Sequence, residues 1–119
     1  MNRHRLELGK WGEERGCSYL ESNGYKILER NYRCRLGEAD IIAKKGDDII
    51  FVEVKTRKNI AYGLPAEAVN FRKQSKYKKI AMWYLQEKGW GERSCRFDVL
   101  EIIIQPGKEI IHNHIKNAF

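Results

Sequence analysis

The sequence predicts an α/β domain in which helices flank a mixed sheet, with elements in the order α, β, β, β, α, β, β. Three observations lead there. A helical run ends at Gly24, two β-rich runs flank Lys45-Gly46-Asp47-Asp48, and a second helical run after Pro65 returns the chain to a further β-rich stretch. At 119 residues, one domain covering 1–119 is expected, large enough to bury a core without a disulfide or a structural metal.

Between Leu6 and Asn23, Leu6, Gly9, Cys17 and Leu20 recur at helical spacing, and Gly24 stops the pattern as a C-cap glycine does. Tyr25 to Tyr32 is rich in β-formers and too short for another helix, so it is the first strand. Ala39 to Lys44 and Ile49 to Lys55 form a hairpin about the Gly46 turn. From Ala66 to Lys88, Ala68, Val69, Tyr77, Ile80, Ala81, Tyr84 and Leu85 step by three and four, and Gly89 and Gly91 end this helix. Arg96 to Ile104 is a strand that stops before Pro106-Gly107, and Glu109 to Ile111 is read as a short last strand.

A formal charge of +7, from 23 Lys and Arg against 16 Asp and Glu, favours a polyanionic partner, nucleic acid first. No apolar run is long enough to span a membrane, and no basic amphipathic anchor is present. The N-terminal stretch has charge but no apolar segment behind it, so a secretory signal is not expected and the cytoplasm is. Cys17, Cys34 and Cys95 are odd in number, widely spaced and without a CxxC, which argues for three reduced thiols.

Symmetric pairing about Gly46 and Asp47 would place Asp40 opposite Glu53 and Glu38 opposite Lys55, all on one face. Ala39, Ile41, Ala43, Ile50, Val52 and Val54 would then form an apolar face behind them. Directly opposed residues have Cβ atoms about 4.5 to 5.5 Å apart, so two acids so placed repel unless something cationic sits between them. A divalent ion reverses that sign, with Mg²⁺ taking one or two carboxylates plus water and substrate phosphate. Lys55 would then lie beside the phosphate, positioned to hold the attacking water and neutralise developing charge. A chain of this composition holds roughly two acid-x-Lys triplets by chance, so Glu53-Val54-Lys55 alone is weak. Asp40 opposite Glu53, beside Ile42, Ile49 and Phe51, is the stronger signal, because a bare acid pair on a covered face is costly.

Asp40 followed by Glu53-Val54-Lys55 on a hairpin resembles the PD-(D/E)xK nuclease superfamily, the restriction-endonuclease-like fold that includes archaeal Holliday junction resolvases. More closely, the stretches GKWGEERGCSYLESNGYKIL, RNYRCRLGEADII, FVEVKTR, YGLPAEAV, RFDV and IHNHIKNAF resemble the bacterial YraN-like family. The resemblance implies an αβββαβ core and a site for Mg²⁺ or Mn²⁺. Asp40, Glu53, the Val54 carbonyl and Glu13 would be ligands, and Lys55 the catalytic lysine. Ala39 stands where the superfamily has Pro. The function so implied is a metal-dependent nuclease acting on DNA, with branched or structured DNA as the expected substrate and a homodimer as in resolvase-like relatives. The alternative is a non-catalytic nucleic-acid-binding or adaptor protein on the same fold, and a third reading is a hydrolase of small phosphoesters.

Other residues carry plainer readings beside functional ones. Glu13 and Glu14 lie early in a helix, where the dipole favours acids regardless of function. Arg57, Lys58, Arg72, Lys73, Gln74, Lys76, Lys78 and Lys79 form a basic flank, interleaved with Tyr62, Phe71 and Tyr77. From this flank Arg57, Lys73, Gln74 and Lys76 are the expected nucleic-acid contacts. Asp98 is expected as a structural acid near Arg96, His112 and His114 as a solvated pair, and Trp11, Trp83 and Trp90 as core or core rim.

Overall fold

The computed structural model describes residues 3–58 and 71–119, with side chains from Glu7 onward. Helix α1 (Arg3–Ser22) precedes β1 (Lys26–Cys34), β2 (Gly37–Lys45) and β3 (Asp48–Arg57). Helix α2 (Phe71–Glu87), β4 (Cys95–Ile103) and β5 (Ile111–Ile115) follow. The expected helix start at Ala66 and the YGLPAEAV stretch lie outside the described residues. The five strands form one sheet in the order β1-β2-β3-β4-β5, antiparallel throughout except for the parallel β3–β4 pair. Parallel neighbours need a crossover, and α2 lies in it. The order is therefore the αβββαβ core expected from the sequence, with a fifth strand at the edge.

Both helices stop by the same device. At the end of α1 the Tyr25 amide donates to the Leu20 carbonyl at 2.9 Å while Gly24 takes φ 86°. At the end of α2 the Trp90 amide donates to Leu85 at 2.7 Å while Gly89 takes φ 73°. That left-handed residue costs glycine nothing and ties off the carbonyls the last turn leaves open.

The last strand is not Glu109 to Ile111. It starts at Ile111 and runs to Ile115, pairing Ile111 with Ile103 and Ile115 with Val99. Its centre, His112-Asn113-His114, is polar, so a count of β-formers passes over it. Pairing with β4 and the partners of the two histidines set its place.

Both faces of the sheet are covered. Cys17 and Leu20 of α1 pack on Ile41, Ala43, Ile50, Val52, Leu100 and Ile102. Tyr77, Ile80, Ala81, Tyr84 and Leu85 of α2 pack on Ile42, Ile49, Phe51 and Phe97. This explains why β2 and β3 read as nearly continuous apolar runs rather than as clean alternation. Ala39 departs from the expected face: it joins the α2 cluster, not Ile41 and the α1 cluster.

Two glycines set how closely α1 lies on β3. A Cβ on Gly12 would overlap the Thr56 side chain, and one on Gly16 would stand 3.3 Å from Val54 and Leu100. Spaced four apart, they put a flat stripe of helix against the strand. Glu13, next to Gly12, is carried down with them.

Candidate active site

The Gly46 turn fixes the β2–β3 register as expected, from Lys45 opposite Asp48 to Ile41 opposite Val52. The ladder then stops one pair short of Asp40 and Glu53. Continued further, it would put Ala39 opposite Val54; instead the Val54 amide donates to Asp40 Oδ2 at 2.9 Å. A side-chain carboxylate stands in for a main-chain acceptor, so Asp40 fills the gap where the two strands part. Asp40 and Glu53 therefore do not stand side by side on one face, as strict alternation predicts.

Asp40 opens into a recess of about 350 Å³ under α1, lined by Leu8, Gly9, Glu13, Asp40, Val54 and Thr56. Glu53, 5% exposed, faces α2. There Lys55 Nζ lies 3.2 Å from its Oε1, and Lys73 Nζ of α2 pairs with the same oxygen. Glu13 from α1, Asp40 from β2 and Glu53 from β3 thus approach one strand gap from different sides. Glu38 does not face Lys55; it pairs with Arg33 across the β1–β2 ladder at 3.1 Å, because the β2–β3 ladder has ended.

The charges feel one another across the gap. Burial pushes the Asp40 carboxyl above the ordinary carboxylate range; the Val54 amide opposes this, and the Glu53 and Glu38 charges add to it. Burial likewise raises Glu13, with Asp40 the next contributor. Burial works against a charged Lys73, yet its bond and charge interaction with Glu53 hold it above the usual lysine range. Tyr77 is raised strongly by burial and then by Glu53 and Asp40. Among the described residues, no three Asp, Glu, His or Cys side chains meet as arranged to hold a metal ion. Two acid oxygens, Glu13 Oε2 and Glu53 Oε2, are buried without a hydrogen-bond partner.

Comparison with known proteins identifies the lineage. Residues 12–102 match the model of "Uncharacterised protein family UPF0102". A UPF0102 protein of Syntrophomonas wolfei is 50% identical over 119 residues, covering 100% of both chains. One from Dictyoglomus turgidum is 47% identical over 114 residues, covering 95% of this chain and 97% of its own. The chain belongs to UPF0102. This is the YraN-like family that its motifs resemble. Among solved structures, Hjc, a Holliday junction resolvase from the archaeal hyperthermophile Archaeoglobus fulgidus, is similar with a TM-score of 0.48 and 15% identity. That likeness covers 87% of this chain and 74% of Hjc.

The basic flank of this UPF0102 chain divides on folding. Arg57 lies on the sheet side of this flank, where its guanidinium Nε pairs with Glu101 Oε2 at 2.8 Å and its side chain is largely covered. The strand carries it beside β4, where Lys55 and Arg57 fall in register with Glu101 and Ile103. Lys73 reaches inward to Glu53. Gln74 is half-buried, and Lys76 is exposed with its chain against Gly37.

Asp98 is the structural acid expected, and more fully held than expected. Arg96 grips it through Nε and Nη2, both at 2.9 Å; the Asn117 amide donates at 2.9 Å, and His114 Nε2 lies at 2.7 Å. Arg96 also donates to the Tyr25 hydroxyl. The two histidines are consequently not a solvated pair. The His114 side chain is 5% exposed against Asp98, while His112 accepts from Arg15 and stacks on Tyr19 at 5.0 Å. Trp90 packs on the α2 cluster and Trp11 on the α1 cluster, but Trp83 is partly exposed and belongs to neither.

The Lys73–Glu53 pair is what the sequence could not offer. Twenty positions and a crossover separate the two residues, and no periodicity relates them. The glycine stripe of α1 was visible as Gly12-x-x-x-Gly16, and it was a usable sign that this helix lies close on the sheet.

Proposed function

We propose that this UPF0102 chain is a metal-dependent nuclease that hydrolyses phosphodiester bonds in DNA, with structured or branched DNA as its substrate. The observation that carries the reading is the pair of buried, unpartnered acid oxygens, Glu13 Oε2 and Glu53 Oε2, on two acids that each interact electrostatically with the desolvated Asp40. A buried carboxylate oxygen left without a donor costs about 1–3 kcal/mol, and a hard divalent cation is the ligand class that relieves it. Glu13, Asp40 and Glu53 are all oxygen donors, as Mg²⁺ or Mn²⁺ prefers. Bound there, such an ion would supply Lewis acidity and a water of lowered pKa. Lys55 and Lys73 add two fixed positive charges at Glu53, suited to orienting a phosphate and countering charge that develops on its oxygens.

Asp40→Asn keeps an acceptor for the Val54 amide while removing the charge, and Glu53→Gln does the same at the second acid. Each should abolish Mg²⁺- or Mn²⁺-dependent cleavage of four-way, flap, single-stranded or linear DNA while circular dichroism stays as in wild type. Undiminished cleavage by both variants would end the reading. The second reading, a nucleic-acid-binding or adaptor protein without catalysis, is favoured by one observation: Glu53 is already paired with two lysines. A native-state ligand must raise Tm with concentration, so a flat Tm across a Mg²⁺ and Mn²⁺ titration selects the adaptor.

A further inference from the structure

The turn between β1 and β2 and the opening turns of α2 enclose a groove of about 580 Å³. Its lining includes Arg35, Leu36, Phe71, Arg72, Lys76 and Lys79, four cations with no acid among them. Phe71 stands 85% exposed within this ring of charge, and Leu36 is 38% exposed. Arg72, Lys76 and Lys79 follow helical spacing, so they share one stripe of α2. The stripe beside it carries Lys73, Tyr77 and Ile80, of which Lys73 reaches Glu53 and the other two enter the core. The groove therefore lies one stripe of α2 away from the lysine that pairs with Glu53. Its wall is fixed by Gly37 at φ 139°, where a Cβ would stand 2.5 Å from Lys76 Cε.

Phosphates explain the cations but not the open ring among them. A duplex keeps its base faces stacked on one another, and only an unpaired nucleotide has a face free for an aromatic side chain. We infer that this groove holds an unpaired nucleic-acid strand, with a base stacked on Phe71 and phosphates met by Arg35, Arg72, Lys76 and Lys79. The inference deepens the nuclease reading by naming the substrate class: the strand that passes the carboxylates is single-stranded.

The test is fluorescence anisotropy in EDTA with a fluorescein-labelled thymidine oligonucleotide and a duplex of equal length, so that binding is read without cleavage. Phe71→Ala should weaken single-strand binding about tenfold and leave duplex binding and Tm unchanged, while Phe71→Trp restores affinity. Arg72→Ala/Lys79→Ala should lower the slope of log K against log salt by about 1.4, two phosphate contacts on a single strand. Equal affinity of wild type and Phe71→Ala would overturn the proposal, as would equal losses on both substrates. A change in sedimentation on Phe71→Ala with affinity unmoved would also overturn it and make the groove a contact between copies of the chain. Binding that persists in a chain that never cleaves defeats the nuclease reading alone; cleavage without this selectivity defeats the groove alone.

Discussion

Asp98 shows how a single acid becomes structural. It is 1% exposed, and an unpaired carboxylate there would be ruinous, yet every lone-pair direction meets a donor from Arg96, His114 or the Asn117 amide. Burial alone would raise its pKa; the hydrogen bonds from His114, Arg96 and Asn117 outweigh this and bring it below the ordinary value of 3.8. A depressed folded pKa stabilises the protein above the unfolded value, and that contribution is lost as pH falls through the folded one. The urea midpoint of wild type should therefore drop steeply below pH 4, and Asp98→Asn should flatten that drop. At pH 7 the variant should be less stable by about 3 kcal/mol or more, since Arg96 is left without its counter-charge. Asp40 has the opposite sign. Its pKa is raised, so its charge costs stability above that pKa, and Asp40→Asn should hold or raise the metal-free Tm at pH 7. A clear fall in Tm would show the charge to be paired more strongly than burial opposes it.

Helix α1 delivers Glu13 because Gly12 and Gly16 let it settle on β3. Gly12→Ala would drive a methyl into Thr56, an overpacking that typically costs about 1–3 kcal/mol. Adding Thr56→Ala should recover most of the loss in a double-mutant cycle read by urea unfolding; additive losses would mean that the helix does not touch β3 where the geometry puts it. The hairpin was legible because its turn and its apolar alternation both point to one register, and that register holds to Ile41 and Val52. It fails at Asp40, where a side chain replaces a backbone acceptor and no pattern of residue types announces the change. β5 was misplaced for a related reason. Its polar centre is paid for by His114 on Asp98 and His112 on Arg15 and Tyr19, contacts from distant parts of the chain.

At the scale of the whole molecule, the parallel β3–β4 pair makes β3, which carries Glu53, an inner strand of the sheet, with α1 packed on one side and α2 on the other. If a divalent ion binds the gap between Glu13, Asp40 and Glu53, the native state gains about 2.7 kcal/mol at a concentration a hundred times Kd. Differential scanning fluorimetry should then show a Tm rising with Mg²⁺ or Mn²⁺ in wild type and flat in Glu13→Gln/Asp40→Asn. A Tm that rises equally in both would place any bound ion elsewhere. No helix among the described residues is long and apolar enough to cross a membrane, which agrees with the absence of such a run in the sequence.

By itself the sequence determined the element order, the mixed sheet, the hairpin register as far as Ile41 and Val52, and the acids worth watching, because periodicity, turn glycines and charge act over a few residues. The tertiary structure alone decided that Asp40 fills a strand gap, that Lys73 crosses to Glu53, that Arg57 turns inward to Glu101, and that His114 is buried against Asp98. Each of these joins groups far apart in the chain, and a buried charge takes whichever partner the packing of helices on the sheet brings within reach.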